Sequence, residues 1–508
     1  IRRIVTAVLI LLGASFLVYL LTAASGDPLG ELRASPLPNK AQLIQQRTEL
    51  LHLNVPAPLR YFIWLKGAAG CLIPFANSCD LGQNLQGQAV TQQLGNAVVA
   101  TLSLVVVATV LAILIGVSLG IVTALRQYSV LDYGVTFMAF LFFSLPIFWA
   151  AVLLKEYGAI GFNDFLKDPQ IPIGIIVLIA VIAGLIAAAI STGNWKRRGL
   201  VFVIAAVVAA IILSALSLSG WFRTPGLGLV LIALTGVGIA FGITALSAGL
   251  RNRKALYSAL TTVAVGVVVY FPIQGLLAAA TPLMILILAI VTVLVGVGIG
   301  YLWGGYDRGQ SMRSAGVTAF LVALLIVIDR FMQAWPQYFD NDRIRGRPIA
   351  TIGSTTPGFS GDFWNMGLDR MTHLILPTTA LILISIASYT RYSRGSMLEI
   401  MNMDYIRTAR AKGLSERTVV MRHAFRNALI PLATIVAFDI GGLIGGAVIT
   451  ERVFSFNGMG TMFAQGLLAI DPNPVMGFFI VVGITALLFN LLADLAYSAL
   501  DPRVKVKS

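Results

Sequence analysis

The chain has few of the residues that build catalytic and metal centres. Its 508 residues include three histidines and two cysteines, and only 11% of them are charged. Soluble domains carry about 25% charged residues, so this composition excludes an ordinary soluble domain. His52, His373 and His423 lie far apart without the spacing of metal ligands, and no Ser/His/Asp pattern or pair of carboxylates stands out. We therefore predict no catalytic site, no metal site and no enzyme activity.

A glycine loop for nucleotide phosphates is also missing. The pattern GxxxxGK[ST] occurs nowhere in the sequence, so the chain does not cradle ATP in that way. The net charge of +14 could suit a nucleic-acid partner. However, most of the basic residues fall in turns between apolar runs, where the positive-inside bias of membrane proteins explains them. Nucleic acid is therefore not an expected partner.

Long apolar runs dominate what is present. Hydrophobic residues make up 57% of the chain, and the mean hydropathy is +0.87. Because a transmembrane helix needs about 20 apolar residues, this predicts an all-α polytopic protein in a lipid bilayer. A cleaved signal peptide is the alternative interpretation of the first run, but the run is long and lacks a convincing cleavage site, which favours a membrane helix. The predicted spans lie near residues 4–23, 97–124, 131–154, 172–191, 199–219, 226–249, 256–279, 282–303, 316–334, 374–390, 430–450 and 475–499.

Basic residues alternate between the turns that join these spans. Lys196–Arg198, Arg251–Lys254, and the pair Arg308 and Arg313 fall in turns that are cytoplasmic if the N-terminus is inside, whereas the intervening turns contain only Arg223. Since cytoplasmic turns are enriched in Lys and Arg, both termini are predicted to be cytoplasmic.

One polar stretch, residues 405–431 (YIRTARAKGLSERTVVMRHAFRNALIP), interrupts the apolar pattern. Because a segment this polar is excluded from hydrocarbon, we expect a surface element. Eight Lys/Arg oppose three acids between Arg391 and Arg426, which favours the cytoplasmic side.

The stretch has its own helix signals. Gly413 ends a short helix at residues 409–412, Ser415 can cap the next one, and Pro431 precedes the following span. Two short helices around a glycine hinge indicate a docking element for a soluble partner.

These residues resemble the cytoplasmic "EAA" loop of ABC importer membrane subunits, in the form found in peptide transporters. The general loop has Glu-Ala-Ala six residues before the glycine, where this chain has Arg407, Thr408 and Ala409. The resemblance covers roughly residues 1–165 and 370–505. Other pieces that fit the same branch, in order, are Gly26-Asp27-Pro28, Asp80-Leu81-Gly82, Ser144–Trp149, Glu451–Phe454, Gly458–Gly460 and Asp501–Arg503.

The resemblance implies a type I ABC importer permease core of six helices, with about six inserted helices. The implied organisation is a first helix (1–24), an extracytoplasmic loop (25–95), core helices two and three (96–171), an inserted bundle (172–334), an extracytoplasmic segment (335–373) and core helices four to six (374–508), with a coupling loop at 391–430. The implied ATPase-coupling residues are Arg407, Thr408, Ala409, Lys412, Gly413, Leu414, Ser415, His423, Asn427 and Pro431.

The implied function is uptake of peptides or similar small solutes across a prokaryotic inner (plasma) membrane. The implied partners are a second homologous permease, two ATPase subunits that bind ATP and Mg²⁺, and an extracytoplasmic substrate-binding protein. This chain is expected to hold no cofactor. Nickel chelates, glutathione and haem-like cargo remain open within the same branch. A secondary transporter with twelve helices and a non-transport scaffold or sensor are the alternatives.

Three further expectations concern individual residues. Asp439 and Glu451 are candidates for the translocation path, because acids within spans usually face a cavity or a polar partner. A disulfide is predicted between Cys71 and Cys79, the only cysteines, which share one extracytoplasmic loop.

The inserted spans carry two further sequence signals. They show no deeply placed ionisable residue, so no ion pathway is predicted there. Glycines recur every four residues at Gly238 and Gly242 and at Gly296, Gly300 and Gly304, a spacing that allows close helix contact. The alternative is that glycine is simply common in membrane helices. The insertion is therefore expected to be a peripheral bundle.

Overall fold

The computed structural model describes residues 2–71, 79–305 and 308–500. Within these ranges the chain is helical apart from turns and one isolated bridge between Gln83 and Ala89. The predicted all-α class is therefore confirmed. The motif Asp501–Arg503 lies outside the described residues.

The helices of the described ranges are numbered in chain order. They are α1 (Arg2–Ala24), α2 (Gly30–Ala34), α3 (Lys40–Leu50), α4 (Ala57–Gly70), α5 (Val90–Leu125), α6 (Val130–Ser144), α7 (Ile147–Leu153), α8 (Phe162–Phe165), α9 (Ile173–Ile190), α10 (Trp195–Leu218), α11 (Gly228–Ser247), α12 (Arg253–Ala278), α13 (Pro282–Gly304), α14 (Arg308–Phe339), α15 (Phe363–Met401), α16 (Asp404–Ala411), α17 (Glu416–Thr418), α18 (Phe425–Gly446), α19 (Val448–Val453), α20 (Met459–Leu468) and α21 (Pro472–Leu500). Two π-helical segments, Leu154–Gly161 and Val419–Ala424, follow α7 and α17.

Nine of the described helices are long and apolar enough to cross a membrane, and a bent pair makes up to ten. The bent pair is α6 with the helical stretch after it, which turn by 103° at Leu145–Pro146. Proline cannot continue the hydrogen-bond ladder, which explains the break. The two other predicted spans correspond to α1, a shorter apolar helix, and α18. The chain is a multi-pass membrane protein.

The chain divides into two compact units. The first comprises Ile1–Gly158, Thr351–Ser354 and Leu374–Ser508, and the second comprises Ala159–Ala350 and Thr355–His373. In the first unit α4 packs on α1, where the hydroxyl of Tyr61 lies 2.7 Å from that of Ser15. Buried residues of α4, α5, α20 and α21 share one apolar cluster with α1.

The second unit contains α9 to α14, the six predicted inserted spans. Its closest helix pair is α13 with α14. Gly296, Gly300 and Gly304 are buried on α13, and a Cβ at Gly296 or Gly300 would overlap atoms of α14. On α13 the glycine spacing therefore allows the close contact expected from the sequence. On α11 it does not, because a Cβ at Gly238 or Gly242 would meet no atom within 4 Å.

A buried carboxylate in the second unit corrects one prediction. Asp329 on α14 is 0% exposed, although the sequence indicated no deep ionisable residue in the inserted spans. Its Oδ1 accepts the backbone N–H groups of Leu227 (2.7 Å) and Gly228 (3.1 Å) at the start of α11. Its Oδ2 accepts from Tyr270 and Gln333, each at 2.7 Å. Burial of this charge is tolerated because both carboxylate oxygens accept hydrogen bonds. The hydrogen bonds join α11, α12 and α14, so Asp329 has a structural role and does not indicate an ion pathway.

The end of α15 also differs from the prediction. This helix continues to Met401, so Arg391 and Arg394 belong to it and not to a loop. Arg394 forms a bidentate ion pair with buried Asp132 of α6, at 2.8 and 2.9 Å. The Arg391 guanidinium lies 3.9 Å from the ring centroid of Phe143. Two of the counted basic residues therefore stabilise the core.

Candidate functional site

The polar stretch forms a basic helical element, defined here as residues 404–427. Its first part, α16, ends in a Schellman turn: Gly413 N–H donates to the Arg410 carbonyl at 2.9 Å, and Leu414 N–H donates to the Ala409 carbonyl at 3.4 Å. Gly413 has a φ of +77°, a backbone conformation that residues other than Gly and Asn rarely adopt. The glycine therefore fixes the direction in which the chain leaves α16.

The second part differs from the predicted pair of short helices. Ser415 caps α17 by accepting the Thr418 N–H at 3.4 Å, as the sequence indicates. From Glu416 the chain then stays helical through α17, the π-helical segment and α18. Pro431 lies inside α18 and not before it. The helix continues through this proline, and only one backbone donor is lost there.

One side of the basic helical element is buried against the core. Ile406 and Ala409 of α16 pack with Val419, Val420 and neighbouring residues. The same cluster includes Met397 of α15 and Ala124 of α5. Asn427 ties the two parts together, since its amide donates to the Tyr405 hydroxyl (3.1 Å) and the His423 carbonyl (2.8 Å). A rigid element seated on two core helices can transmit a displacement to both.

The other side is exposed and combines charge with apolar surface. The Arg407 side chain is 71% exposed, and its one ion pair with Asp404 is loose at 3.8 Å. Arg410 and Glu416 pair across the Gly413 turn at 2.7 Å, and this hydrogen bonding lowers the pKa of Glu416. The exposed surface also includes Thr408, Lys412, Gly413, Leu414, Ser415 and Met421. Apolar side chains among cations are typical of a protein docking surface.

A second constructed feature surrounds Glu451, which is fully buried on α19. Its carboxylate accepts from the Thr101 hydroxyl at 2.6 Å, the Thr461 N–H at 3.0 Å and the Gly460 N–H. The last two are among the first N–H groups of α20, which have no partner within their own helix. Glu451 therefore caps α20 and links it to α5 through Thr101.

Glycines give this carboxylate its space. A Cβ at Gly458 would overlap the Glu451 carboxyl group, and one at Gly460 would meet both Val448 and Glu451. This accounts for the sequence spacing between Glu451 and Gly458-Met459-Gly460. In this conformation Glu451 is a buried cap whose carboxylate is hydrogen-bonded, and its predicted path role stays a prediction.

Comparison with known proteins finds a family model that is similar to part of this chain. Residues 277–506, which contain the basic helical element and the capped α20, match the model of the binding-protein-dependent transport system inner membrane component. The match covers less than half of the chain. The match begins within the inserted spans, at the end of α12.

Individual relatives agree with the family. The oligopeptide transport system permease protein OppB of Mycobacterium tuberculosis is 40% identical over 190 residues, 37% of this chain and 55% of that protein. The dipeptide transport system permease protein DppB of Escherichia coli is 41% identical over 150 residues, 30% of this chain and 43% of that protein. AppB of Bacillus subtilis is 41% identical over 137 residues, 27% and 43% of the two chains. The chain thus spans about half the length of the curated relatives it matches.

Two positions that the sequence did not single out stabilise the turn between α19 and α20 in the first unit. Lys155 Nζ donates to the Val453 carbonyl at 3.1 Å, and Gly353 N–H donates to the Phe454 carbonyl at 2.8 Å. For Lys155, the sequence offered one signal, a lysine at the end of an apolar span. Gly353 gave none, because its partner is about a hundred residues away.

The second predicted path residue, Asp439, lies on α18 and is partly buried. It faces the hydroxyl of Tyr389 on α15, a fully buried residue whose hydroxyl has no hydrogen bond of normal geometry. No ion pair in the described part of the chain includes Asp439. The alternative of an interfacial salt bridge thus gains no support, and a path role stays a prediction.

A polar cavity of about 350 Å³ lies beside α20 and the start of α21. Asn84, Gln93, Gln465 and Asp471 are among its lining residues. Asp471 accepts the Leu85 N–H at 2.7 Å and the Asn473 N–H at 3.3 Å. Burial nevertheless raises the pKa of Asp471 to about 6. The sequence analysis missed this carboxylate, which has an ordinary position before a helix.

The two cysteines of the 25–95 loop are close to the end of α4. Cys71 and Cys79 are joined by a disulfide. Near them the Asp80 N–H donates to the Gly67 carbonyl at 3.3 Å. The bridge closes a short loop and so fixes the return of the chain towards α5.

Proposed function

We propose that this chain is the membrane-spanning permease subunit of an ATP-driven importer that takes up peptides delivered by an extracytoplasmic binding protein. The observation that carries the proposal is the basic helical element, which is exposed on one side and packs against α5 and α15 on the other. The family model matched by residues 277–506 and the oligopeptide and dipeptide permeases among the relatives support it. Neither comparison favours a secondary transporter or a scaffold.

In this proposal the basic helical element lies on the cytoplasmic side and is the docking site for the ATPases. Two ATPase subunits serve this chain together with a second permease. Closure of the ATPases on ATP displaces α16 and the turn at Gly413. Because the buried side of α16 packs on Met397 and Ala124, the movement reaches α15 and α5 as a rigid-body shift. ATP changes the balance of outward- and inward-open states only through this contact.

The test is a substitution at Gly413 in the complete transporter, reconstituted with its co-purified partners in proteoliposomes. Gly413→Val places a β-branched residue at a φ of +77° and should uncouple ATP hydrolysis from peptide uptake. Gly413→Asn is the matched control, because Asn tolerates this conformation and should keep most of the coupling. Equal, fully coupled uptake by both variants would remove the proposal.

Arg407 offers a second measurement on the same surface. Its exposed guanidinium is proposed to meet an acidic patch of an ATPase subunit. Arg407→Glu should then lower ATP-coupled uptake, and a compensating Lys or Arg in the ATPase should restore it. Failure of every compensating charge would show that Arg407 lies outside the contact.

The second unit is proposed to be peripheral to the translocation path, which would be lined by core helices and by Asp439. Asp329 does not oppose this, since all its described contacts join helices of its own unit. Cysteine-accessibility mapping with and without peptide is the test. Substrate protection throughout α9 to α14 would make the insertion part of the path.

Substrate identity follows from uptake of labelled peptides of two to eight residues in competition with one another. Peptides lead because the relatives are named for them, while nickel chelates, glutathione and haem-like cargo are the competitors to include. Uptake without ATP, driven by an ion gradient, would instead support the secondary-transporter alternative.

A further inference from the structure

The α11–α12 turn and the first turns of α14 meet at one end of the second unit. Asn252 Nδ2 of the former donates to Gln310 Oε1 of the latter at 3.3 Å, and the Ser247 and Ser314 hydroxyls lie 2.6 Å apart. This contact gathers cations that are distant in sequence. They form the basic patch, defined as Arg251, Arg253, Lys254, Arg308 and Arg313.

The helix geometry raises the positive potential of the basic patch further. Both α12 and α14 begin there, so the positive ends of two helix dipoles add to the cations, although Asn252 already caps the Ala255 N–H of α12. Neither helix has an acidic residue in its first turn. Cations at a helix N-terminus are unfavourable for the helix itself. An external anion would remove that cost.

No protein carboxylate neutralises these charges among the described residues. All five side chains are exposed, and none belongs to an ion pair. Arg308 instead donates to the Tyr301 hydroxyl at 2.9 Å and lies over its ring. Asp307 is outside the described residues. The patch is thus a concentrated positive surface with free donors.

Aromatic residues place the patch at the level of lipid headgroups. Tyr257 and Trp303 are each more than 40% exposed, and their ring centroids are 5.8 Å apart. Tyr257 lies one turn inside α12, and Trp303 is next to the end of α13. Tyr and Trp are enriched where membrane spans meet the interface. A ligand of the basic patch would therefore lie in the headgroup layer.

We propose that the basic patch binds the headgroup of an anionic phospholipid. Guanidinium groups match phosphate oxygens in bidentate geometry, and clustered Lys and Arg at the ends of spans attract anionic lipids. The site is separate from the proposed transport function, and it gives the inserted bundle a role as a lipid-sensitive attachment.

The competing explanation is that these charges only orient the chain in the membrane. The chain contains a built-in control for this, the α9–α10 turn with Lys196, Arg197 and Arg198. It has as many cations as the α11–α12 turn, but no hydrogen bond or ion pair of the described residues joins it to the basic patch. Charge for orientation alone predicts equal behaviour of the two turns.

The experiment titrates the purified full-length chain in detergent with dioleoylphosphatidylglycerol, using native mass spectrometry to count bound lipid. The triple variant R251Q/R253Q/K254Q should weaken binding roughly a hundredfold, at about fivefold per cation. The triple variant K196Q/R197Q/R198Q should change it less than about threefold, since it leaves the patch intact. Dioleoylphosphatidylcholine should bind weakly and equally to all three proteins.

Equal losses in the two triple variants, or equal binding of both lipids, would overturn the proposal. If the first variant fails to fold, R308Q/R313Q tests the same patch with an expected loss of roughly thirtyfold. Inorganic phosphate is added as a competitor. Displacement of the lipid by millimolar phosphate would assign the site to a soluble anion. If the variants lose an acidic partner protein but bind the lipid as the parent does, the basic patch is a site for that protein and the lipid proposal is wrong.

Discussion

Each of the two compact units buries a carboxylate that receives the first N–H groups of a helix. In the first unit Glu451 caps α20, and in the second Asp329 caps α11. The donors differ in their access to water. Thr101 and Gly460 are buried, whereas Gly228 is exposed. The same interaction is therefore harder to replace in the first unit.

The two capped helices also differ in what they need. The ten residues of α20 are too few for a stable isolated helix, so its position depends on the cap and its packing. In contrast, α11 is a 20-residue apolar helix that would form in a bilayer without help. The comparison shows that Glu451 determines whether an element exists, whereas Asp329 determines how formed helices are joined.

The largest effect is expected from Glu451→Ala. It leaves the buried donors at Gly460 and Thr101 and the half-buried Thr461 N–H without an acceptor, at a cost of about 3 kcal/mol. Thermal unfolding in detergent should show a clearly lower midpoint, and ATP-coupled uptake should be lost. The exposed Glu399→Ala is the control and should behave like the parent protein. A parent-like midpoint for Glu451→Ala would mean that α20 does not need its cap.

A substitution at Gly458 sharpens the assignment of this cap. Gly458→Ala should cost about 2 kcal/mol, because the added methyl group displaces the carboxylate. In a Glu451→Ala background the same change should cost much less, which a double-mutant cycle on thermal midpoints measures. Gly134→Ala, where space is open, is the control. Additive effects would show that the glycine serves another purpose.

Asp329→Ala is expected to separate stability from transport. Water can reach part of the α11 N-terminus, so the loss should be about 2 kcal/mol, less than for Glu451→Ala. Uptake per correctly folded complex should remain near the parent level if the second unit is peripheral. If the variant folds like the parent protein but loses uptake, the second unit takes part in transport and the proposed difference between the two units is wrong.

The smallest effect is a pH dependence at Asp471. Its pKa of about 6 in the folded protein exceeds the ordinary value of about 3.9 for an unfolded chain. The folded state therefore binds the proton more tightly, and the contribution is complete below about pH 4 and lost as the pH rises through about 6. Asp471→Asn should reduce the change of the thermal midpoint between pH 4 and 7, whereas Asp342→Asn, at an exposed position, should leave it unchanged. An unchanged slope would contradict the assignment.

Much of the first unit could be read from the sequence because its signals are local. Gly413 with Ser415 marks a turn and a cap within three residues, and the structure has both. The continuous helix after Glu416 was missed because Pro431 is usually a breaker, and only packing against the core keeps it inside α18.

The sequence by itself determined the membrane class and the positions of the six apolar helices α9 to α14, because hydrocarbon requires long apolar helices. It also determined the family resemblance, whose motifs are contiguous. Tertiary structure alone decided that Glu451 is a cap, that Asp329 is deeply buried and that Arg394 pairs with Asp132. It also gathered the basic patch from two turns. Each of these depends on side chains that are distant along the chain and meet only when helices pack, and a linear pattern contains no record of such distances.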